Sequence, residues 1–286
     1  MTPQPQCPIC EKPHPKKLFD VAEGQLLKCK SCTLVFYSPV PSLSDLLDFY
    51  DAEDYRETYH EGSLSGTKSA DIRYQQICRY LHRQAPELLY QDRHGQYLDI
   101  GCGEGDLLKV FSIQGWEVTG TEISPEAARR AGEDWQRYIQ IGDIDSLDFA
   151  KGSFDLISMY HILEHLINPV SALAKIVGWL KPGGVLFIET PNWGGLGAIL
   201  KGRSWSLIIP PEHLTYFNSR SLIHLLRKTG YFRIKAYSSA PQFIQSLARL
   251  PVLLRILGWS VYHLSAHVGL GANLQALAFA PVADDQ

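Results

Sequence analysis

Asp99-Ile100-Gly101-Cys102-Gly103-Glu104-Gly105 is the stretch that decides the fold of this chain of 286 residues. It follows a short apolar strand pattern, Gln96 to Ile100, and precedes a helix predicted from about Asp106 to Gln114. Glycines at these positions let the backbone turn tightly and approach a ligand closely, where a Cβ would block the contact. The following helix directs its free N–H groups at that ligand. The stretch therefore predicts a ligand-binding turn between the first strand and the first helix of a larger sheet.

Strand and helix patterns alternate on the carboxyl-terminal side of this turn. Further strands are predicted at 116–123, 137–143, 154–161 and 185–190, and FRIKAYS (232–238) reads as a late strand. Helices begin after capping signals such as Ser124-Pro125 and Asn168-Pro169. Alternation of this kind is typical of a parallel sheet built from βαβ units. The fold class predicted is α/β, with a doubly wound sheet.

A glycine turn of this kind also serves dinucleotide-binding enzymes, so its sequence has to be compared with both patterns. The dinucleotide pattern needs glycine or alanine where this chain has Asp106, and that aspartate would repel a pyrophosphate. The arrangement D-x-G-x-G-x-G instead resembles motif I of the class I methyltransferases that use S-adenosylmethionine (SAM), a cofactor without phosphate. A Rossmann dehydrogenase remains the alternative within this fold class.

The resemblance covers about residues 60–240 and implies a Rossmann-like sheet with SAM as its cofactor. It implies that the glycines cradle the methionine end of SAM and that Asp99 fixes its ammonium group. Glu122, about 20 residues after the turn, would accept hydrogen bonds from the ribose hydroxyls. Asp143 would face the adenine amino group. The implied cofactor-binding residues are Asp99, Gly101, Gly103, Gly105, Glu122, Ile123, Asp143, Ile144, Met159 and Tyr160. Taken singly, Gly101 and Gly103 would suit a strand-to-helix turn without a ligand, Glu122 would suit a surface acid, and Asp143 would suit a helix cap.

Two cysteine pairs near the amino terminus predict a metal site. Cys7-x-x-Cys10 and Cys29-x-x-Cys32 are separated by 18 residues, which is the spacing of a zinc ribbon. Four thiolates suit a closed structural zinc site, and so small a segment needs such a site in order to fold. Cysteines used in this way, without a secretory signal, predict a reducing, cytoplasmic location.

The order of ribbon, helical linker and SAM domain resembles bacterial methyltransferases of sugar and natural-product pathways. These include C-methyltransferases of nucleotide-linked deoxysugars. The resemblance implies a small-molecule acceptor and an N-terminal module that shapes its site. The aromatic and acidic stretch 49–59 is predicted to form a lid over the cofactor, and a purely structural linker is the alternative.

Candidate proton acceptors follow the fourth and fifth strands of the predicted sheet. His213 and Tyr216 lie in Pro210-Pro211-Glu212-His213-Leu214-Thr215-Tyr216-Phe217, a run that is frequent in the resembling subfamily. His213 is the first candidate for a catalytic base, since histidine titrates near neutral pH, and an orienting role is its alternative. His161 is the second candidate. The run from His161 to His165 also matches a zinc-protease pattern, which we reject because it follows a strand of a cofactor fold. We expect Glu164 and His165 to form a hydrogen-bond network there, with metal assistance as an alternative.

Composition limits the remaining functions. A net charge of −3 gives no general attraction to nucleic acid, and no uninterrupted apolar run reaches about 18 residues. The apolar C-terminal segment gives weight to O-methylation of a quinone, phenol or lipid-like acceptor, and to peripheral contact with a membrane. We favour packing of this segment on its own domain or in a homodimer. A non-catalytic scaffold is the alternative from another class. The predicted domains are a zinc ribbon (1–40), a helical linker and lid (41–95), a SAM-binding domain (96–240) and an apolar helical C-terminal segment (241–286).

Overall fold

The structure is a computed structural model that describes residues 5–42, 44–46, 67–89, 95–240 and 252–282. The predicted lid at 49–59 lies outside the described residues. Within the described ranges the strands are β1 (Lys16–Val21), β2 (Gly24–Lys28), β3 (Val35–Ser38), β4 (Gln96–Ile100), β5 (Glu117–Glu122), β6 (Ile139–Ile141), β7 (Phe154–Tyr160), β8 (Leu180–Pro191), β9 (Thr215–Tyr216), β10 (Phe232–Ser239) and β11 (Asn273–Phe279).

The helices follow the predicted capping signals closely. Ser124 and Asn168 cap their helices by accepting hydrogen bonds from the backbone N–H groups of Ala127 and Ser171. The helices are α1 (Thr67–Gln84), α2 (Asp106–Ile113), α3 (Pro125–Arg130), α4 (Glu133–Gln136), α5 (Pro169–Trp179), α6 (Leu196–Lys201), α7 (Ser219–Lys228) and α8 (Val252–His267).

The central sheet has seven strands in the order β10-β11-β8-β7-β4-β5-β6. Strand β11 runs antiparallel to both of its neighbours, whereas β4 to β8 pair in parallel. All seven residues of β7 are buried, as expected for a strand covered on both faces. This is the Rossmann-like sheet of the class I methyltransferases, so the predicted fold class is confirmed.

The C-terminal segment differs from the prediction of an entirely helical tail. It is helical over Val252–His267, but Asn273–Phe279 forms β11 and lies between β8 and β10. Most of this strand is fully buried, and a short apolar run of that kind has no periodicity that separates a strand from a helix. No helix among the described residues is long and apolar enough to cross a membrane.

The amino-terminal module forms a second sheet that is joined to the first domain. Its order is β1-β2-β3-β9, so the last strand comes from the candidate catalytic run. Val35 pairs with Tyr216, and Phe36 pairs with Thr215. Side chains of the module also share one hydrophobic core with α5, α7 and the central sheet.

Candidate active site

The glycine turn lies at the carboxyl end of β4 with the geometry that the sequence predicts. Gly101, Gly103 and Gly105 have φ angles of +73°, +55° and +71°, a region that side chains with a Cβ rarely adopt. A Cβ at Gly101 would lie 2.1 Å from the Cδ1 atom of Ile162, just after β7. A Cβ at Gly103 would meet no protein atom within 4 Å. The turn is therefore packed against protein at Gly101 and open at Gly103, as a ligand cradle requires.

Glu122 closes the next strand and faces this turn. One carboxylate oxygen accepts a hydrogen bond from the Gly103 N–H at 2.8 Å, and the other accepts one from the Ser124 N–H at 2.9 Å. Burial raises the pKa of Glu122 above its usual value, although these two donors act in the opposite direction. The two hydrogen bonds fix the orientation of the carboxylate and leave one lone pair on each oxygen for a ligand.

Asp99 lies under the turn in a buried polar group. Ser158 donates a hydrogen bond to its carboxylate, and the Tyr97 hydroxyl lies 2.6 Å from the Ser158 hydroxyl. Burial raises the pKa of Asp99 to about 6, against the opposing effects of Ser158 and of the positive charge of Arg73. Arg73, from α1, stacks over the Tyr160 ring at 4.9 Å. The structure thus adds to this end of the pocket a cation that sequence analysis missed.

The other predicted cofactor-binding residues differ in how far their side chains are exposed. Asp143 follows β6, and one of its carboxylate oxygens accepts a hydrogen bond from the Ser146 N–H at 2.6 Å, which closes a turn after which no helix begins. Ile123 is 37% exposed, whereas Ile144 is buried in the core. Met159 is completely buried, so in this structure only its main chain can line a pocket.

Tyr160 and Met159 point to opposite faces of β7, because successive side chains alternate along a strand. Tyr160 packs with the cluster that contains Tyr97 and Phe187, and its hydroxyl donates to the carbonyl oxygen of Arg73 at 3.1 Å. Tyr160 and Arg73 therefore form one side of the pocket next to Asp99.

His161 has a positive φ of 54° and lies between two buried carboxylates. Its Nδ1 atom is 3.1 Å from Glu164, and its Nε2 atom is 3.4 Å from Glu189. Burial alone would lower the pKa of His161, but these carboxylates raise it to about 10. With both nitrogens engaged and the ring protonated at neutral pH, His161 is unsuited to act as a base. The Thr190 hydroxyl donates to the second Glu164 oxygen at 2.9 Å, so Glu164 forms a hydrogen-bond network with His161 and Thr190.

His213 is 5% exposed and has a different electrostatic environment. Its Nδ1 atom lies 2.9 Å from the carbonyl oxygen of Leu207, and the Leu214 N–H donates to the carbonyl oxygen of Glu164 at 2.9 Å. A carbonyl oxygen only accepts, so Nδ1 carries the proton and Nε2 carries a lone pair. Burial is the main cause that lowers the pKa of His213, while the charge of Glu164 raises it. His213 is therefore a neutral imidazole held at the carboxyl end of β7.

His165 brings a second imidazole to His213, with 4.8 Å between the ring centroids. Burial lowers the pKa of His165 to about 4, so this ring is neutral as well. Glu164, His165 and His213 each offer a ligand atom within 4.8 Å of the others. One carboxylate and two neutral imidazoles are donors that suit a transition metal. The turn Leu163–His165 is a single 3-10 turn, which agrees with our rejection of the protease pattern.

Tyr216 is buried in an aromatic group beside His213. Its ring centroid lies 6.2 Å from His213 and 5.6 Å from Trp193, which in turn contacts Trp205 at 5.7 Å. Burial raises the pKa of the Tyr216 hydroxyl well above its usual value, so it stays protonated. Tyr216 therefore shapes the apolar side of the site.

Comparison with known proteins agrees with this geometry. The chain matches the family model described as "Methyltransferase domain" over residues 70–234, more than half of its length. The chain belongs to this methyltransferase family.

The curated relatives match a shorter part of this chain than the family model does. A ubiquinone biosynthesis O-methyltransferase of Xanthomonas campestris is 32% identical over 101 residues, which are 33% of this chain and 42% of that protein. The chain thus spans less than half the length of the curated relatives that it matches.

Solved structures show the same fold at low sequence identity. A SAM-dependent methyltransferase from Archaeoglobus fulgidus is 18% identical with a TM-score of 0.52, and the match covers 79% of this chain and 99% of that one. A phosphoethanolamine N-methyltransferase from Haemonchus contortus, in complex with SAM, is 18% identical with a TM-score of 0.54, over 87% and 62% of the two chains.

The four cysteines of the methyltransferase come together as the sequence spacing predicts. The Sγ atoms of Cys7 and Cys32 lie 3.5 Å apart, those of Cys10 and Cys29 lie 3.4 Å apart, and all four lie within 4.8 Å of one another. None is in a disulfide. Tetrahedral zinc with Zn–S bonds of about 2.3 Å separates its sulfur ligands by about 3.8 Å. The arrangement therefore fits a closed tetrahedral metal site.

Contacts from the cysteine module lead directly to the catalytic run. The Thr33 hydroxyl donates to the Asn218 side chain at 3.1 Å, and the Asn218 amide donates back to the Thr33 carbonyl oxygen at 3.2 Å. The Tyr37 N–H donates to the carbonyl oxygen of Leu214, next to His213. The module thus holds the segment that carries His213.

Sequence analysis missed Arg73 and Glu189 as members of this site. Arg73 lies in a helix with no motif of its own, and Glu189 lies within a buried strand. Only the packing of α1 on α2, the helix after the glycine turn, and the pairing of β8 with β7 bring these charges to the pocket. A charged residue inside the apolar run of β8 is the one signal that points to Glu189.

Proposed function

We propose that this protein transfers the methyl group of SAM to a small-molecule acceptor whose attacking atom loses a proton to His213. The observation that carries the proposal is the neutral, buried His213 at the same sheet edge as the open glycine turn. Strands β4 and β7 are neighbours, with Ile100 paired to Met159, so the turn after one strand faces the turn after the other.

The pocket chemistry fits SAM rather than a dinucleotide. The space beside Gly103 accommodates a ligand next to the backbone, and Glu122 offers two oriented acceptors for a ribose. Arg73 and Asp99 provide one positive and one negative group, which match the carboxylate and ammonium of an amino-acid moiety. Asp106 at the start of α2 would oppose a pyrophosphate.

SAM, when bound, supplies an electrophilic methyl group on a sulfonium. In this proposal His213 Nε2 takes a proton from the acceptor O–H or C–H, and the acceptor atom forms its bond to carbon as the carbon–sulfur bond breaks. Glu164 stabilises the resulting imidazolium, since its charge already raises the pKa of His213. The Leu207 carbonyl keeps Nε2 directed at the acceptor, and alignment supplies much of the rate enhancement.

Two acceptor classes follow from the sequence and from the comparisons. The resemblance to sugar and natural-product enzymes favours a nucleotide-linked sugar or a related intermediate. The buried aromatic group of Trp193, Trp205 and Tyr216 beside His213, together with the ubiquinone O-methyltransferase relatives, favours a phenol, quinol or lipid-like acceptor. A phenol or quinol O–H, or a sugar C–H next to a carbonyl group, has to lose a proton to a base for methyl transfer, whereas a neutral amine attacks with its own lone pair.

We further propose that the four cysteines hold a structural zinc ion. Four ligands complete a tetrahedral site and leave no open position for catalysis. In this role the ion stabilises the module that pairs with β9.

The proposal is tested by calorimetric titration of the protein with SAM and with NADH, followed by methyl-transfer assays on nucleotide-linked sugars and on phenols. We expect micromolar SAM affinity, no NADH binding, and turnover that falls in a His213→Asn variant without loss of SAM affinity. His224→Asn, an exposed histidine on α7, is the matched control. Binding of NADH in place of SAM would overturn the proposal. Full activity of the His213→Asn variant would show that His213 is not the catalytic base.

A further inference from the structure

The helices α6 and α8 expose an unusual group of large apolar side chains. Among the described residues, four such side chains are more than two-thirds exposed, and Leu200, Leu264 and Val268 are three of them. Ile199 at 59% and Val261 at 43% lie beside these in the sequence. We call Ile199, Leu200, Val261, Leu264 and Val268 the α6–α8 patch. Contiguous exposed apolar groups mark interaction sites more often than isolated ones do.

The two segments that carry the patch are joined by hydrogen bonds. The Leu196 N–H, at the start of α6, donates to the carbonyl oxygen of Leu270 at 2.8 Å. The Asn192 amide donates to the carbonyl oxygen of Gly271 at 2.8 Å, and the Ser238 hydroxyl donates to that of Ala266 at 2.7 Å. The end of α8 is thereby fixed to α6 and to the sheet.

The exposed apolar side chains of α8 follow the helical repeat. Val261, Leu264 and Val268 are spaced i, i+3 and i+7, so they form one stripe along the helix. His263 and His267, four residues apart, lie on the adjacent exposed strip of the same helix. An apolar stripe of this kind normally faces the core of a protein, and here it faces outward.

The two segments that carry the patch have charged side chains of one sign only. No Asp or Glu occurs between 190 and 211 or between 252 and 282. Lys201 is the last residue of α6, Arg203 follows it, and both are exposed. Apolar side chains bordered by cations suit an anionic lipid surface, to which each nearby basic residue adds attraction. A second copy of the chain would bring the same cations together across a two-fold interface.

The inner side of α6 faces the site described above. Ala198 is buried in the cluster that contains Trp205 and Tyr216, and Leu207 of the following segment binds His213. The patch is therefore the outer surface of the segment that frames the acceptor side of the pocket.

We propose that the α6–α8 patch docks the protein reversibly on the surface of an anionic lipid bilayer. Leu200, Leu264 and Val268 enter the interface between headgroups and acyl chains, while Lys201 and Arg203 contact the headgroups. The proposal concerns binding and holds whichever acceptor is methylated.

Flotation of the full chain with phosphatidylglycerol-containing vesicles, and with pure phosphatidylcholine vesicles, tests this proposal. We expect binding to the anionic vesicles that weakens as salt is raised. Leu200→Ser combined with Leu264→Ser should lower the bound fraction at least about tenfold, since two apolar side chains no longer leave water. Lys201→Glu combined with Arg203→Glu should abolish the preference for anionic lipid.

Ile113→Ser is the matched control, because Ile113 is 80% exposed and lies at the end of α2, outside the patch. SAM titration of each variant verifies that the protein is folded, and it separates this test from the proposed methyl transfer. Wild-type protein that fails to float with anionic vesicles would overturn the proposal. A second result would also overturn it: a dimer in solution that the serine variants dissociate, together with no binding to vesicles. The α6–α8 patch would then be covered by a second copy of the chain.

Discussion

The Nδ1 atom of His213 lies 2.9 Å from the carbonyl oxygen of Leu207, and this hydrogen bond determines the tautomer of the ring. His161 belongs to the same group of side chains through its contact with Glu164. Both of its ring nitrogens lie next to carboxylate oxygens, one of Glu164 and one of Glu189. Two histidines that look equivalent in the sequence therefore have opposite protonation states. One is a neutral ring with a lone pair, and the other is a cation inside an ion-pair group.

The pH dependence of kcat/KM should report His213. Because burial lowers its pKa below the ordinary value of 6.5, the acid limb of the profile should lie below pH 6.5. His213→Asn should lower kcat about 10²- to 10⁴-fold and leave the Kd for SAM within about twofold. Loss of SAM affinity in parallel with kcat would show that His213 positions the pocket and is not a base.

Removing the open space at Gly103 should abolish SAM binding. Gly103→Val places a side chain where the ligand approaches, at a φ of +55° that valine disfavours. The matched control is Gly152→Val, with a φ of +65° and its nearest neighbour at 3.9 Å, at the opposite edge of the sheet. Calorimetry should show binding for the control alone, and wild-type affinity in Gly103→Val would contradict the predicted site.

Glu122 should contribute directly to cofactor affinity. In Glu122→Gln one of the two acceptor oxygens becomes a donor that faces the backbone N–H groups, so the Kd for SAM should rise by about 10- to 100-fold. Glu126→Gln changes a more exposed acid on α3 and should leave the Kd unchanged. If both variants raised the Kd for SAM equally, the effect would come from the loss of a negative charge and not from a contact between Glu122 and the ribose.

The cysteine module should bind about one zinc ion per chain, and Cys29→Ser should remove it while SAM binding persists. Catalysis should fall, because β3 of the module pairs with β9 next to His213. Metal content by mass spectrometry and thermal unfolding check this, with Cys78→Ser as the control. Unchanged zinc content in Cys29→Ser would reject the site.

His161 should stabilise the fold by compensating Glu164 and Glu189. His161→Gln leaves two buried carboxylates without a cation and should cost about 3–5 kcal/mol in the free energy of unfolding, measured with urea. His224→Gln on α7 should cost little.

The ion pair of His161 and Glu164 predicts how the free energy of unfolding varies with pH. The pKa of Glu164 falls from 4.5 to about 2, because the hydrogen bond and charge of His161 outweigh the effect of burial. Its contribution is therefore complete above pH 4.5 and is lost as the pH falls toward 2. The raised pKa of His161 makes its contribution complete below pH 6.5 and lost as the pH rises through about 10. Urea unfolding across this range should show the difference between wild type and His161→Gln largest between pH 4.5 and 6.5.

Local sequence signals were sufficient for much of the fold and for part of the site. The glycine turn, the Cys-x-x-Cys pairs and the Ser124 and Asn168 caps each depend on residues a few positions apart. Their chemistry is fixed by backbone geometry and ligand spacing, so the sequence predicted the sheet, the cofactor turn and the cysteine cluster. The family match supports the same fold.

Tertiary structure decided the roles that depend on distant partners. The positive charge of Arg73 acts on Asp99 only because α1 packs against α2, the helix that follows the glycine turn. Strand β11 lies inside the sheet because it pairs with both β8 and β10, which are distant from it in the sequence. The protonation states of His161 and His213 depend on Glu189 and Leu207, whose positions no local pattern encodes. Electrostatic energies in a buried site change steeply over a few ångströms. The sequence by itself therefore determined the glycine turn, Glu122 and His213 as parts of the site. Only the folded arrangement added Arg73 and Glu189 and determined which histidine holds a second proton.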